Sequence, residues 1–336
     1  MNTQPDIPTS DPPSSGSAIT KNTQILLRVT VAAALLYTIF SHIGLGDVIS
    51  AIGGTNIRVV WLAFIVAIIV QLVVSYRLKC LTDVHGLHLP TWLVFEVNLA
   101  TRFYGLFLPG GNLTGLLIRM FKFSRERSQI SSVVVSLIAD RIMATLSLCI
   151  LGLLFWTLAQ PRPDDVWLLA FVVATIACLI LTYALFVQSS SKKTSRISTL
   201  FQKISPNQWT KLSQVFQRSY QTDNKVLVSS LALSVVAHLV GIVSFWLIGH
   251  SLDMTLSLLT IGWIRSGMML ATLIPITIAG LGVREVAALA LLQVYGVETD
   301  IAIAFSLLVF ATTVVGIGVI GGITETWRFV YSRDIS

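Results

Sequence analysis

The stretch LFLPGGNLTGLLIR, Leu106 to Arg119, decides how the chain is read. An apolar run breaks at a proline and three glycines, then ends on an arginine. A broken helix frees backbone N–H groups, and a helix N-terminus attracts anions. Glycine lets a backbone approach a ligand closely. Arginine adds a planar fork that matches phosphate. The sequence therefore places anion-handling chemistry beside a break in a hydrophobic segment.

Working outward, the surroundings are those of a membrane protein. The chain has 336 residues, 54% hydrophobic and 12% charged, with a mean hydropathy of +0.80. A soluble domain carries roughly 25% charged residues. The net charge of +7 is the Lys/Arg excess expected of cytoplasmic loops, not a sign of nucleic-acid binding. Cys80, Cys149 and Cys178 are far apart in sequence and form neither a disulfide framework nor a zinc spacing.

A spanning helix needs about 20 mostly apolar residues. Six runs qualify, at 24–41, 59–78, 129–158, 166–187, 226–250 and 301–324. The intervals 90–118 and 256–296 are apolar but interrupted by Pro and Gly. The expected fold is an all-α polytopic membrane protein. It has about six full spans plus two re-entrant hairpins or broken helix pairs, six to eight spans in all. Residues 1–22 read as a disordered polar tail, followed by one transmembrane domain over 23–328. With the N-terminus inside, the inner loops hold Arg77, Lys79, Arg119, Lys122, most of the basic residues of 188–225, and Arg328; the outer loops hold Arg58 and Arg162. That asymmetry predicts both termini in the cytoplasm. Segment 188–225 reads as basic amphipathic helices on the anionic cytoplasmic leaflet.

The order span, span, interrupted stretch, span occurs up to residue 160 and again from 161. Three net crossings per half would invert the second copy, the arrangement that in transporters brackets a midplane site. Costly charges cluster at these features: Glu96, Arg102, Asp140, Arg141, Arg265, Arg284 and Glu285 lie in or beside apolar runs. The second break, PITIAGLGVRE from Pro275 to Glu285, mirrors the first. The candidate substrate-binding residues are Arg102, Pro109, Gly110, Gly111, Arg119, Asp140, Arg141, Pro275, Gly280, Gly282, Arg284 and Glu285. In this reading Arg119, Arg141 and Arg284 hold phosphate, and Asp140 and Glu285 pair with them. No catalytic residue, metal or cofactor is assigned.

Other motifs carry less. Gly316-Ile-Gly318-Val-Ile-Gly321 matches a dinucleotide fingerprint but follows no strand; helix packing through Gly318 and Gly322 is the better reading. His85 and His88 have no further ligands nearby, and no Walker A motif occurs.

Three stretches, FYGLFLPGGNLTGLLIR, SLIADRIMATLSL and LIPITIAGLGVREVAALALL, resemble the flippase-like transmembrane domain of the lysylphosphatidylglycerol synthase family. The resemblance runs from about residue 25 to 328 and is most specific at Leu108-Pro109-Gly110 with Arg119, at Asp140-Arg141, and from Pro275 to Glu285. It implies a polytopic protein of the cell membrane acting on lipids. Full-length synthases join this domain to an aminoacyltransferase; this chain ends at Ser336 directly after its last apolar run, so that activity is not expected. Relatives have been linked to aminoacylated phosphatidylglycerol, polyprenyl-phosphate sugars and hopanoid-type lipids, so the family does not fix the cargo. Many relatives have Gly-Gly-Asp between Leu-Pro-Gly and the arginine. Residues 111–118 here contain no acid, so recognition of a cationic headgroup through that Asp does not carry over.

The leading expectation is a lipid flippase for a phosphate-containing phospholipid or polyprenyl-linked lipid. The partners are then membrane lipids and further copies of the chain. The alternative is a membrane-embedded transferase with Asp140 or Glu285 as general base. A third reading is a scaffold recruiting partners through 188–225.

Overall fold

A computed structural model describes residues 45–84, 86–107, 112–127, 130–161, 165–186, 224–273 and 280–333. The tail, the first apolar run at 24–41 and nearly all of the 188–225 segment lie outside the described residues. So do Pro109, Gly110, Gly111 and Pro275.

The described residues are helical, with no strand among them. In chain order the helices are α1 (Leu45–Gly53), α2 (Ile57–Asp83), α3 (Thr91–Phe107), α4 (Asn112–Arg127), α5 (Ile130–Leu158), α6 (Asp165–Phe186), α7 (Asn224–Ser251), α8 (Leu258–Ala271), α9 (Val283–Gln293), α10 (Thr299–Phe310) and α11 (Ile317–Arg333). A π-helical segment, Ala311–Gly316, joins α10 to α11 in one rod. Among the described residues, four stretches are long and apolar enough to cross a membrane: Ile57–Asp83, Ile130–Leu158, Lys225–Ser251 and Thr299–Arg328.

Their outward faces show the solvent they are built for. Helix α2 exposes Trp61, Leu62, Ile65, Ile69 and Leu72 and buries Ala63, Ala67, Gln71 and Ser75. Helix α6 likewise exposes Val166, Leu169, Val173 and Ile176. Large apolar residues outside and small or polar ones inside are the pattern of a lipid-facing bundle. The two interrupted stretches become helix pairs, α3–α4 and α8–α9, each turning at its Pro/Gly segment. Asn56 caps α2 and Ser257 caps α8, each accepting from a first-turn N–H.

Packing follows the repeated order. Helices α2 and α7 form the central contact. Several other contacts fall in pairs across the two halves: α3 with α11 and α8 with α5; α2 with α3 and α7 with α8; α4 with α5 and α9 with α10; α5 with α7 and the π segment with α2. Small residues make the crossings close. A Cβ on Gly321 would stand 2.1 Å from the Leu99 carbonyl oxygen, and one on Gly318 2.5 Å from a Leu106 methyl. At the counterpart crossing a Cβ on Gly262 would meet the Phe155 ring at 2.9 Å. The glycines that mimic a nucleotide fingerprint are therefore packing residues. The main apolar core lies among α5, α7, α8, α9 and α10, around Trp263, Phe245 and Phe305.

One reading from the sequence is corrected. Arg77 is not a loop charge: it is 3% exposed, inside α2. Hydropathy ends the run at this polar group, whereas the helix continues to Asp83. Cys80, Cys149 and Cys178 are not joined in any disulfide.

Candidate functional site

The first group of charges gathers where α2, α3, α4, α5 and α7 converge. Arg77 donates from Nε to Asp140 Oδ1 at 2.8 Å, and its Nη2 stands 2.7 Å from the same oxygen. Its Nη1 donates to Ser234 Oγ at 2.9 Å. Arg77 and Asp140 are both buried, so each needs the other: an isolated charge in a low-dielectric bundle costs several kcal/mol, on the order of the pair's own attraction. Polar neighbours continue along α2, where Asn98 donates to Ser75 Oγ at 2.7 Å.

Around this neutral pair stand Arg102 on α3, Arg119 on α4 and Arg141 on α5. Arg119 lies within electrostatic reach of Asp140, Arg77, Arg102 and Arg141, and Arg102 within reach of Arg141. Four guanidinium groups face one carboxylate, an excess of three positive charges. Arg102 and Arg141 are exposed, and Arg119 is half-buried with no partner for its Nε. All three were candidate substrate-binding residues, Arg119 and Arg141 as phosphate holders, and the fold brings them together. Asp140, expected to pair with them, bonds instead to Arg77. The missed signal was the polar sequence Gln71, Ser75, Arg77 on the buried side of an otherwise apolar helix.

The second group closes on itself. Gly280 and Gly282 have φ of +77° and +85°, conformations that side chains resist, and they turn the chain into α9. Glu285 accepts from the Gly282 N–H at 2.6 Å, the backward half of a helix cap. It also accepts from Arg284 Nη2 at 2.9 Å and from Ser306 Oγ at 3.2 Å. The Arg284 guanidinium lies 4.4 Å from the Phe310 ring centroid. Arg284 is 3% exposed and Glu285 fully buried.

The two breaks are therefore chemically unequal. Gly115-Leu-Leu-Ile-Arg119 and Gly280-Leu-Gly-Val-Arg284 correspond in sequence, but Met120 stands where Glu285 neutralises Arg284. No hydrogen bond or ion pair joins the two groups among the described residues.

A third polar surface borders the first. Lys122 bonds both carboxylate oxygens of Glu325 at 2.5 Å, Tyr104 donates to Glu325 at 3.2 Å, and Glu96 pairs with Arg328. Lys122, Tyr104, Glu325 and Arg328, with exposed Arg125 and apolar Leu93, Val97 and Ile118, line a cavity of about 570 Å³ between α3, α4 and α11. Among the described residues no cluster of His, Cys, Asp and Glu could hold a metal.

Comparison with known proteins agrees with this architecture. The family model described as the lysylphosphatidylglycerol synthase TM region matches residues 25–321. The UPF0104 membrane protein MJ1595 of Methanocaldococcus jannaschii is 24% identical over 308 residues, covering 86% of this chain and 90% of that protein.

Proposed function

Since the chain belongs to the family of the lysylphosphatidylglycerol synthase TM region, we propose that it moves a phosphate-bearing lipid, a phospholipid or a polyprenyl-linked lipid, between membrane leaflets. The carrying observation is the uncompensated arginine cluster of Arg102, Arg119 and Arg141 around the Arg77–Asp140 pair. Charge at membrane depth belongs in a wet crevice, and a surplus of arginine there suits an anionic headgroup. The acyl or prenyl chains stay in lipid, where an apolar groove between α3 and α11, lined by Phe103, Ile323 and Trp327, lies close by.

The charge asymmetry of the sequence supports both termini lying at the cytoplasmic face of a multi-pass cell-membrane protein. The paired helix contacts support an inverted repeat, with the two helix pairs as re-entrant hairpins. The carboxylates argue against the transferase reading. Asp140 is engaged by Arg77, and Glu285 by Arg284, Ser306 and a backbone N–H, contacts that suit structural carboxylates better than a general base.

Reconstituted vesicles with trace tail-labelled phosphatidylglycerol or tail-labelled polyprenyl phosphate test the proposal by quenching of the outer leaflet. Transfer by the wild type is expected to exceed that of protein-free vesicles. Arg119→Ala and Arg141→Ala should each slow it about tenfold or more, the loss of one charge-assisted contact. Transfer of neither lipid by wild-type protein would overturn the reading.

A further inference from the structure

Arg265 is the buried charge that the proposed site leaves unused. It lies on α8 and is 7% exposed. Among the described residues it makes no ion pair, and its Nε has no hydrogen-bond partner. Its Nη1 lies 3.1 Å from His238 Nδ1. The other ring nitrogen, His238 Nε2, lies 3.0 Å from the carbonyl oxygen of Ala144. A carbonyl only accepts, so Nε2 carries the hydrogen and Nδ1 turns its lone pair to Arg265. The imidazole is therefore neutral and leaves the guanidinium charge uncancelled. The Phe245 ring lies 5.4 Å away, and at Gly241 a Cβ would stand 2.5 Å from Nη2.

The position is central. Ala144 lies fourteen residues from either end of α5 (130 and 158), and His238 fourteen and thirteen from the ends of α7 (224 and 251). At about 1.5 Å per residue this is roughly 20 Å from each helix end, the bilayer midplane. A chain of polar groups leads there from the arginine cluster. Arg77 bonds Ser234; His238 follows Ser234 by one turn of α7; His238 meets Arg265. A guanidinium kept at the midplane with no carboxylate partner among the described residues is poorly explained as a structural element, since a paired charge or an apolar side chain would serve better.

We propose that Arg265 is a mid-membrane anion station. It offers the oxygens of a phosphate group the guanidinium edge formed by Nε and Nη2, the edge beside Gly241, while Nη1 keeps His238. This rests on the proposed function and deepens it: the headgroup would pass from Arg119 and Arg141 to Arg265 halfway across. The ligand chemistry is a tetrahedral oxyanion, carried either by a lipid or by free phosphate.

Thermal-shift titration of the purified full chain in neutral detergent separates the outcomes. The ligands are dioctanoyl-phosphatidylglycerol, farnesyl phosphate, inorganic phosphate and dioctanoylglycerol. Wild type should be stabilised by a phosphate-bearing lipid and not by dioctanoylglycerol. R265Q should weaken that binding about tenfold or more, while melting unliganded no lower than wild type; R265K should restore part of the affinity. A purely structural arginine would give the reverse, a lower unliganded melting point with unchanged affinity, and would overturn the proposal. If R265Q does not fold, G241A crowds the guanidinium while keeping its charge. The same loss of affinity is then expected, and unchanged affinity overturns the proposal. Equal stabilisation by inorganic phosphate identifies a free anion as the ligand and leaves Arg265 its binder. Affinity lost in R119A but kept in R265Q removes the station and spares the function proposed above. A wild type stabilised by none of the phosphate compounds removes both.

Discussion

Arg77 and Asp140 show what a single residue can and cannot reveal before its partner is known. Asp140 is legible in the sequence as an expensive charge inside an apolar helix. Its partner is not, because pairing depends on which faces of α2 and α5 meet, and Arg77 stands where the hydropathy of its run fades. Truncating Arg77 to Ala leaves a buried carboxylate without a counter-charge, a loss of about 3–5 kcal/mol. Thermal unfolding in detergent should show this as a sharply lower midpoint, with most of it recovered when Arg77→Met is combined with Asp140→Leu. A single variant as stable as the wild type would mean the pair is not what holds α2 to α5. Glu285 was equally visible as a charge, yet its task, capping α9 while neutralising Arg284, depends on a turn made by two glycines in left-handed conformations.

At the scale of elements, the breaks were the most readable features. Proline and glycine punctuate 90–118 and 256–296, and each interval becomes two helices. The sequence could not show which helix each pair would pack against, since hydropathy is blind to neighbours. The glycines of α11 answer it. Gly321 has the Leu99 carbonyl so close that any side chain must push α3 and α11 apart. Gly321→Ala should therefore cost about 1–3 kcal/mol through overpacking. Gly46 in α1 has nothing within 4 Å of a Cβ, so Gly46→Ala should be neutral or gain up to about 1 kcal/mol of helix propensity. Paired melting curves of the two variants check both statements, and equal effects would refute the assigned crossing.

For the whole molecule, several contacts are matched about the α2–α7 centre, but charge is not matched with them. Arg102 and Arg141 are exposed, whereas Arg284 is enclosed. In a background lacking Cys80, Cys149 and Cys178, cysteines at positions 102 and 141 should react with a membrane-impermeant maleimide, and a cysteine at 284 should not. Labelling at 284 as fast as at 141 would show that the second group opens to water as well. That each half carries one interrupted stretch was legible in the sequence, and the inequality between the two was not, because it turns on one side chain, Met120 opposite Glu285, read against a fold. The last rod carries a further consequence. Its α10 half packs on α9 and its α11 half on α3, with the π segment between them against α2. One continuous backbone thus touches a helix of each pair, so the two pairs share a single mechanical support.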